Sequence, residues 1–107
     1  MTVAGPLAAL AALALALPYP APRSIQANPP TTKCDRATVI LVDTAKGELK
    51  GSTKAGVVTY RIAADVQVFD KDGKPAGGAG RLAQGANVLV YYVVEDGAKV
   101  LEIDVTP

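Results

Sequence analysis

The stretch that most restricts what this chain can fold into lies near its end, residues 86–105. One arm reads Asn87-Val88-Leu89-Val90-Tyr91-Tyr92-Val93-Val94-Glu95, the other Ala98-Lys99-Val100-Leu101-Glu102-Ile103-Asp104-Val105, and Asp96-Gly97 separates them. β-Branched and aromatic residues fill the first arm. Asp-Gly marks a tight type I′ hairpin turn, because glycine accepts the positive φ that turn demands. In the second arm Leu101, Ile103 and Val105 alternate with Glu102 and Asp104, which predicts one apolar and one polar face. A lone two-stranded ribbon with an apolar face is marginal in water, so the rest of the chain must supply strands to cover it.

It does so in short, turn-punctuated pieces. Residues 37–43 (Ala-Thr-Val-Ile-Leu-Val-Asp) predict a first strand, apolar on both faces in its middle. Thr44-Ala45-Lys46-Gly47 closes a turn with Gly47 in the left-handed region. Residues 48–53 form a weaker second strand, in which Leu49 is the one apolar residue; Gly51 inside it predicts a bulge, a bend or a close backbone approach. Residues 57–62 predict a third strand, with Val58, Tyr60 and Ile62 on one face and Thr59 and Arg61 on the other. A short break at residues 63–65 precedes an extended stretch at 66–69. Asp70-Lys71-Asp72-Gly73-Lys74-Pro75 resembles a calcium loop only superficially: Val68 and Ala79 stand where further acidic ligands are needed, so a turn is expected. The glycines of residues 76–80 lack the Lys-Ser/Thr pair of a phosphate cradle and read as a connector. Residues 81–85 lead into the last hairpin through a turn. No segment of this body has helical periodicity. The expectation is an all-β domain, a small five-stranded barrel, since closure removes the exposed edges of so short a sheet.

The first 30 residues of the 107 obey a different grammar. An Ala/Leu block runs to Leu17 and a proline-rich stretch to Pro30. The apolar run 3–17 has the length of a signal-peptide core and is short for a membrane span. Ile25-Gln26-Ala27 offers a cleavage signature and Ala21 an alternative. Lys or Arg normally opens such a segment, whereas Arg23 stands on its far flank, which leaves three other readings: a basic n-region lost to a misassigned start, an uncleaved segment, and an Ala-rich disordered or helical tail on a cytosolic protein. The predicted division is a leader at 1–27, a linker at 28–36 and a barrel at 37–105. Export to the periplasm or the exterior follows, with no stable membrane span in the mature form. The body left after the first 30 residues, roughly 75–80 residues, supports one small core with little surplus stability.

Several turn and core motifs together resemble a known group: Val42-Asp43, Lys46-Gly47, Tyr60-Arg61-Ile62, Val66-Gln67-Val68-Phe69 with Asp72-Gly73-Lys74-Pro75, Leu82 to Gly85, and the closing Val100-Leu101-Glu102-Ile103. They are similar to small secreted bacterial barrels of unknown function with OB-like folds and, more distantly, to the periplasmic copper-chaperone barrels of the CusF type. The resemblance implies a five-stranded OB-like barrel over about residues 37–105. It implies no metal site: that family holds Cu(I) with one His, two Met and a Trp, and this chain has no His, no Trp and no Met beyond Met1.

Function is narrowed by what is missing. With no histidine there is no ordinary general base, and Asp43, Asp65, Asp70, Asp72 and Asp96 are scattered over turns and strand ends, where aspartate usually bonds backbone. No enzyme and no cofactor are predicted. One cysteine, Cys34, excludes an internal disulfide and any multi-thiolate site; Thr31-Thr32-Lys33 before it excludes a lipid anchor, and a free, partly buried thiol just before the first strand is expected. With 11 Lys+Arg against 10 Asp+Glu, there is no electrostatic footprint for duplex nucleic acid. A single-stranded nucleic-acid reading, with Lys46, Lys50, Lys54 and Arg61 on one surface and Tyr91 stacking, ranks third. A weak metal-handling role through carboxylates and Cys34 ranks second. The leading expectation is a non-enzymatic interaction or accessory module. If Val88, Val90, Tyr92 and Val94 face the core, Leu89, Tyr91 and Val93 form an outward apolar stripe that contacts another protein or a second copy; the alternative is that the leader-proximal segment covers that stripe.

Overall fold

The computed structural model describes residues 19–107. The apolar run 3–17 of the expected leader lies outside them. Five strands, β1 (Lys33–Asp43), β2 (Glu48–Thr53), β3 (Gly56–Phe69), β4 (Asn87–Val94) and β5 (Ala98–Val105), close into one barrel in the order β1-β2-β3-β5-β4. All neighbours are antiparallel except β3 and β5. A single 3-10 turn, Ala79–Arg81, sits in the β3–β4 connection. Among the described residues, no helix is long and apolar enough to cross a membrane.

The β4–β5 turn carries out what Asp-Gly promises: Asp96 has φ +54° and Gly97 φ +94°. Val94 pairs with Ala98, so the loop has three residues and Glu95 belongs to it rather than to the strand. Gly47 takes φ +66° as expected. Gly51 marks a close approach, since a Cβ there would stand 3.0 Å from the Ala37 Cβ; the adjoining β1–β2 register slips by one residue between Val39 and Leu41. The Asp70 turn is an ordinary one. The Asp70 carboxylate accepts the N–H groups of Asp72 and Lys74, both at 2.9 Å, and these bonds hold its carboxyl below the usual range.

Three expectations need correction. β1 begins at Lys33, four residues before residue 37, so Cys34 lies inside the strand. The break expected at residues 63–65 is an irregularity within one continuous strand: β3 pairs with β5 on both sides of it, and the register jumps between Ile62 and Gln67. In β5, Leu101 does not share a face with Ile103. Tyr91 pairs with Glu102 but Tyr92 pairs with Val100, so Leu101 is the extra residue of a bulge. A bulge resets the two-residue alternation. Val100 and Ile103 therefore fill the interior, while Leu101 packs outside against Ala27, Leu89 and Tyr91.

The interior holds Ala37, Val39, Leu49, Tyr60, Val68, Val88, Val90, Val100 and Ile103. One carboxylate shares this end of it. Asp35 accepts the Tyr60 hydroxyl at 2.7 Å and the Tyr92 hydroxyl at 3.2 Å, and the two rings meet edge-on with centroids 5.6 Å apart. This half-buried carboxylate is tolerable because two hydroxyls donate to it and part of it stays exposed to water. Burial, with the Asp35 hydrogen bond second, raises the Tyr60 hydroxyl pKa.

Candidate functional site under the N-terminal strap

Residues 19–32 form a strap across the outer face of β1, β4 and β5. Pro20 and Pro22 keep the first part extended and bring no N–H groups that would need partners. The next two residues do have N–H groups, and both point at one carboxylate. Glu102 accepts the Arg23 N–H through Oε2 at 2.8 Å and the Ser24 N–H through Oε1. Tyr91 donates its hydroxyl to the Pro20 carbonyl at 2.5 Å. Ser24 then turns the chain: its Oγ accepts the Gln26 N–H and its carbonyl the Ala27 N–H. That turn drives the Ala27 methyl down onto Leu89 and Tyr91, where it is wholly buried. The Tyr19 ring lies over the Arg36 guanidinium at 5.6 Å, a cation–π contact.

Strand register explains why these groups meet. Cys34, Tyr91 and Glu102 form one row across β1, β4 and β5, and Arg36, Leu89 and Asp104 form the next on the same face. The face thus has an apolar centre, an acidic edge on β5 and a basic residue on β1. Glu102 has no exposed surface and Asp104 is only 6% exposed, although simple alternation assigns both to solvent. Arg23 offers its Nε to Asp104 Oδ2 at 3.5 Å while its side chain stays half exposed. Its guanidinium rests on Gly73, where a Cβ would come within 2.8 Å of it. Asp104 Oδ1 is buried without a partner. Burial raises the Asp104 carboxyl pKa to about 8, with the hydrogen bond to Glu102 and its negative charge acting the same way and Arg23 opposing them. Asp104 therefore gives up its proton at higher pH than an ordinary carboxyl.

Cys34 lines a cavity of about 580 Å³ between strap and barrel, together with Tyr19, Pro20, Ala27, Pro29 and Tyr91. Burial pushes its thiol up to about 12, with the Asp35 and Asp104 charges adding and a hydrogen bond to Tyr91 opposing. Such a thiol is almost entirely protonated at neutral pH and is a poor nucleophile and ligand.

Of the stripe predicted from sequence, Leu89 and Tyr91 lie under the strap at 4% and 2% exposure, and Val93 is half-buried beside it. The structure does not bring Tyr91 to the lysines as an open stacking platform. Lys46, Lys50 and Lys54 are exposed on β2 and its flanking turns, and the Arg61 guanidinium donates to the Glu95 carbonyl. Among the described residues no group of three or more His, Cys, Asp or Glu is placed to hold a metal ion. Sequence reasoning missed the Glu102–Asp104 pair. The signal available was two acids spaced by two on one strand face, with the only cation of the proline-rich segment, Arg23, to meet them.

No protein-family profile matches the chain, and no curated protein does. Solved structures do. The silver-bound form of CusF is similar at TM-score 0.56 and 12% identity, over 72% of this chain and all of that one. A second silver-bound CusF structure, from Escherichia coli, gives 0.56 and 11% over 73% and 95%. Apo-CusF from Escherichia coli gives 0.52 and 10% over 73% and 93%. At these identities the likeness is one of fold. The chain is a five-stranded OB-like barrel of the CusF shape.

Proposed function

We propose that this chain is an exported, non-enzymatic interaction module that binds a protein partner through the outer face of β4, at Leu89, Tyr91 and Val93. One observation supports the reading above others: residues 19–27, extended at first and then turned at Ser24, are seated on that face through backbone and side-chain bonds to Tyr91, Glu102 and Asp104. The face has the chemistry to hold a peptide, and the strap is its occupant within the chain. Export rests on the leader-like character of residues 1–27, and cleavage after Ala27 would take the seated segment away. A photo-cross-linking side chain in place of Val93 tests the reading in an extract of the cells that make the protein. A discrete protein adduct, lost when Tyr91→Asp is added while circular dichroism still reports the barrel, is the expected result. Absence of any adduct from position 93, with or without the strap, sinks it.

A further inference from the structure

The strap is built into the bonding of the barrel rather than laid over it. Glu102 has no exposed surface, and the donors that reach its two oxygens are the Arg23 and Ser24 N–H groups. The Pro20 carbonyl takes the Tyr91 hydroxyl. Ser24 and Ala27 are buried while Ile25 and Gln26 between them are exposed, so the segment turns one face to the barrel as a folded element does. Two successive turns shape its end: the Ala27 N–H donates to the Ser24 carbonyl and the Asn28 N–H to the Ile25 carbonyl. A cut after Ala27 would strip both donors from Glu102, the Arg23 guanidinium from Asp104 and the Ala27 methyl from Leu89 and Tyr91. Those four side chains would then face water on a small barrel with little stability to spare.

The sequence offers an earlier cut. Removal of an export leader asks for small side chains at the last and third-last positions before the cut. Ile25-Gln26-Ala27 puts isoleucine at the third-last, and Ala21 has Tyr19 there with a proline following. Ala14-Leu15-Ala16 has alanine at both. Residues 3–13 before it remain an apolar run within the roughly 7–15 residues that a leader core takes.

We propose that export processing hydrolyses the Ala16–Leu17 bond rather than the bond after Ala27, and that residues 19–32 stay as part of the mature domain. Water adds across the amide, leaving a carboxylate on Ala16 and an ammonium on Leu17. The released chain begins just ahead of the strap and keeps every bond the strap makes. This rests on the export half of the reading above. It also narrows the other half: with Leu89 and Tyr91 kept under the strap, Val93 is the part of the stripe left to a partner.

The test uses the full chain with an affinity tag after Pro107, made in the cells that encode it and recovered from their exported fraction. Its intact mass should give Leu17 as the first residue. Ala16→Gln should remove that product, and Ala27→Gln should leave its first residue unchanged. In the native exported chain, Cys34 should react with a pyridyl disulfide about tenfold or more slowly than in urea, because the strap covers it. Any first residue other than Leu17 in the exported chain overturns the proposal. So does survival of the Leu17 product in Ala16→Gln, loss of it in Ala27→Gln, or native labelling as fast as in urea. None of these results touches export itself. A full-length product confined to the cytosol overturns export and the reading above with it, which separates the two failures.

Discussion

Replacing Asp104 with asparagine removes one titrating proton from the strap's anchor and little else, so its effect can be worked out in advance. Asp104 has a pKa of about 8 in the folded chain against about 3.9 in an unfolded one. The folded carboxyl therefore binds more protons than a water-exposed one between those values. Its contribution to stability is complete below about pH 4, declines as pH rises, and is gone above about pH 8, at about 1.4 kcal/mol per pH unit. The groups that face it are Glu102 on β5, Cys34 on β1, Tyr91 on β4 and Arg23 on the strap. Water reaches Asp104 without any strand separating once the strap lifts. Strap opening, rather than barrel unfolding, is thus the cheapest event that releases the proton, and its equilibrium constant should rise about tenfold per pH unit across the window.

Cys34 reports that opening. Under the strap its thiol is pushed up to about 12; released, it should return toward the ordinary value of about 8.5. Labelling with a pyridyl disulfide then requires an open strap and a thiolate together. Between about pH 5.5 and 7.5, the logarithm of the wild-type rate should climb with a slope near 2 per pH unit, one from the thiol and one from Asp104. In Asp104→Asn the amide keeps a hydrogen bond to Glu102 and has no proton to lose, so the slope should fall to about 1. A wild-type slope of about 1, superimposable on that of the variant, would refute the raised Asp104 carboxyl pKa.

Two further substitutions probe the barrel. Gly51→Val places a branched side chain where a Cβ already stands 3.0 Å from Ala37, and should lower stability in urea by about 1–3 kcal/mol through overpacking; an unchanged midpoint would mean that β1 and β2 can separate there freely. Tyr60→Phe takes one of its two tyrosine donors from Asp35 and should cost about 1 kcal/mol, as expected when a half-buried carboxylate loses one of two donors, with little effect on Cys34 labelling because Asp35 faces the opposite side of the sheet from the strap.

Much of the barrel is legible in local signals because turns and alternation are local. Asp96-Gly97 and Gly47 take the positive φ values their turns need, and β2 and β5 begin and end where the residue types change. The misreadings sit where two partners decide one residue. Lys33-Cys34-Asp35-Arg36 shows no apolar alternation, yet it is strand, since Asp35 turns inward to two tyrosines and Cys34 faces the strap rather than open water. Residues 63–65 look like a gap because no pattern within β3 reveals that β5 runs parallel alongside.

The site was hidden for a related reason. A bulge at Leu101 transfers one apolar side chain from the interior to the outer face. Alternation read through that point assigns Glu102 and Asp104 to solvent. Both acids do face outward; the residues covering them come from 78 or more positions earlier in the chain. Covering acids is costly unless each finds a partner. Glu102 finds two backbone N–H groups, whereas Asp104 finds half of one arginine and keeps a proton instead. Strong anchoring at Glu102 and Tyr91 beside weak anchoring at Asp104 makes a cover that should loosen as pH rises. That imbalance, rather than the barrel shared with CusF, is what distinguishes this chain.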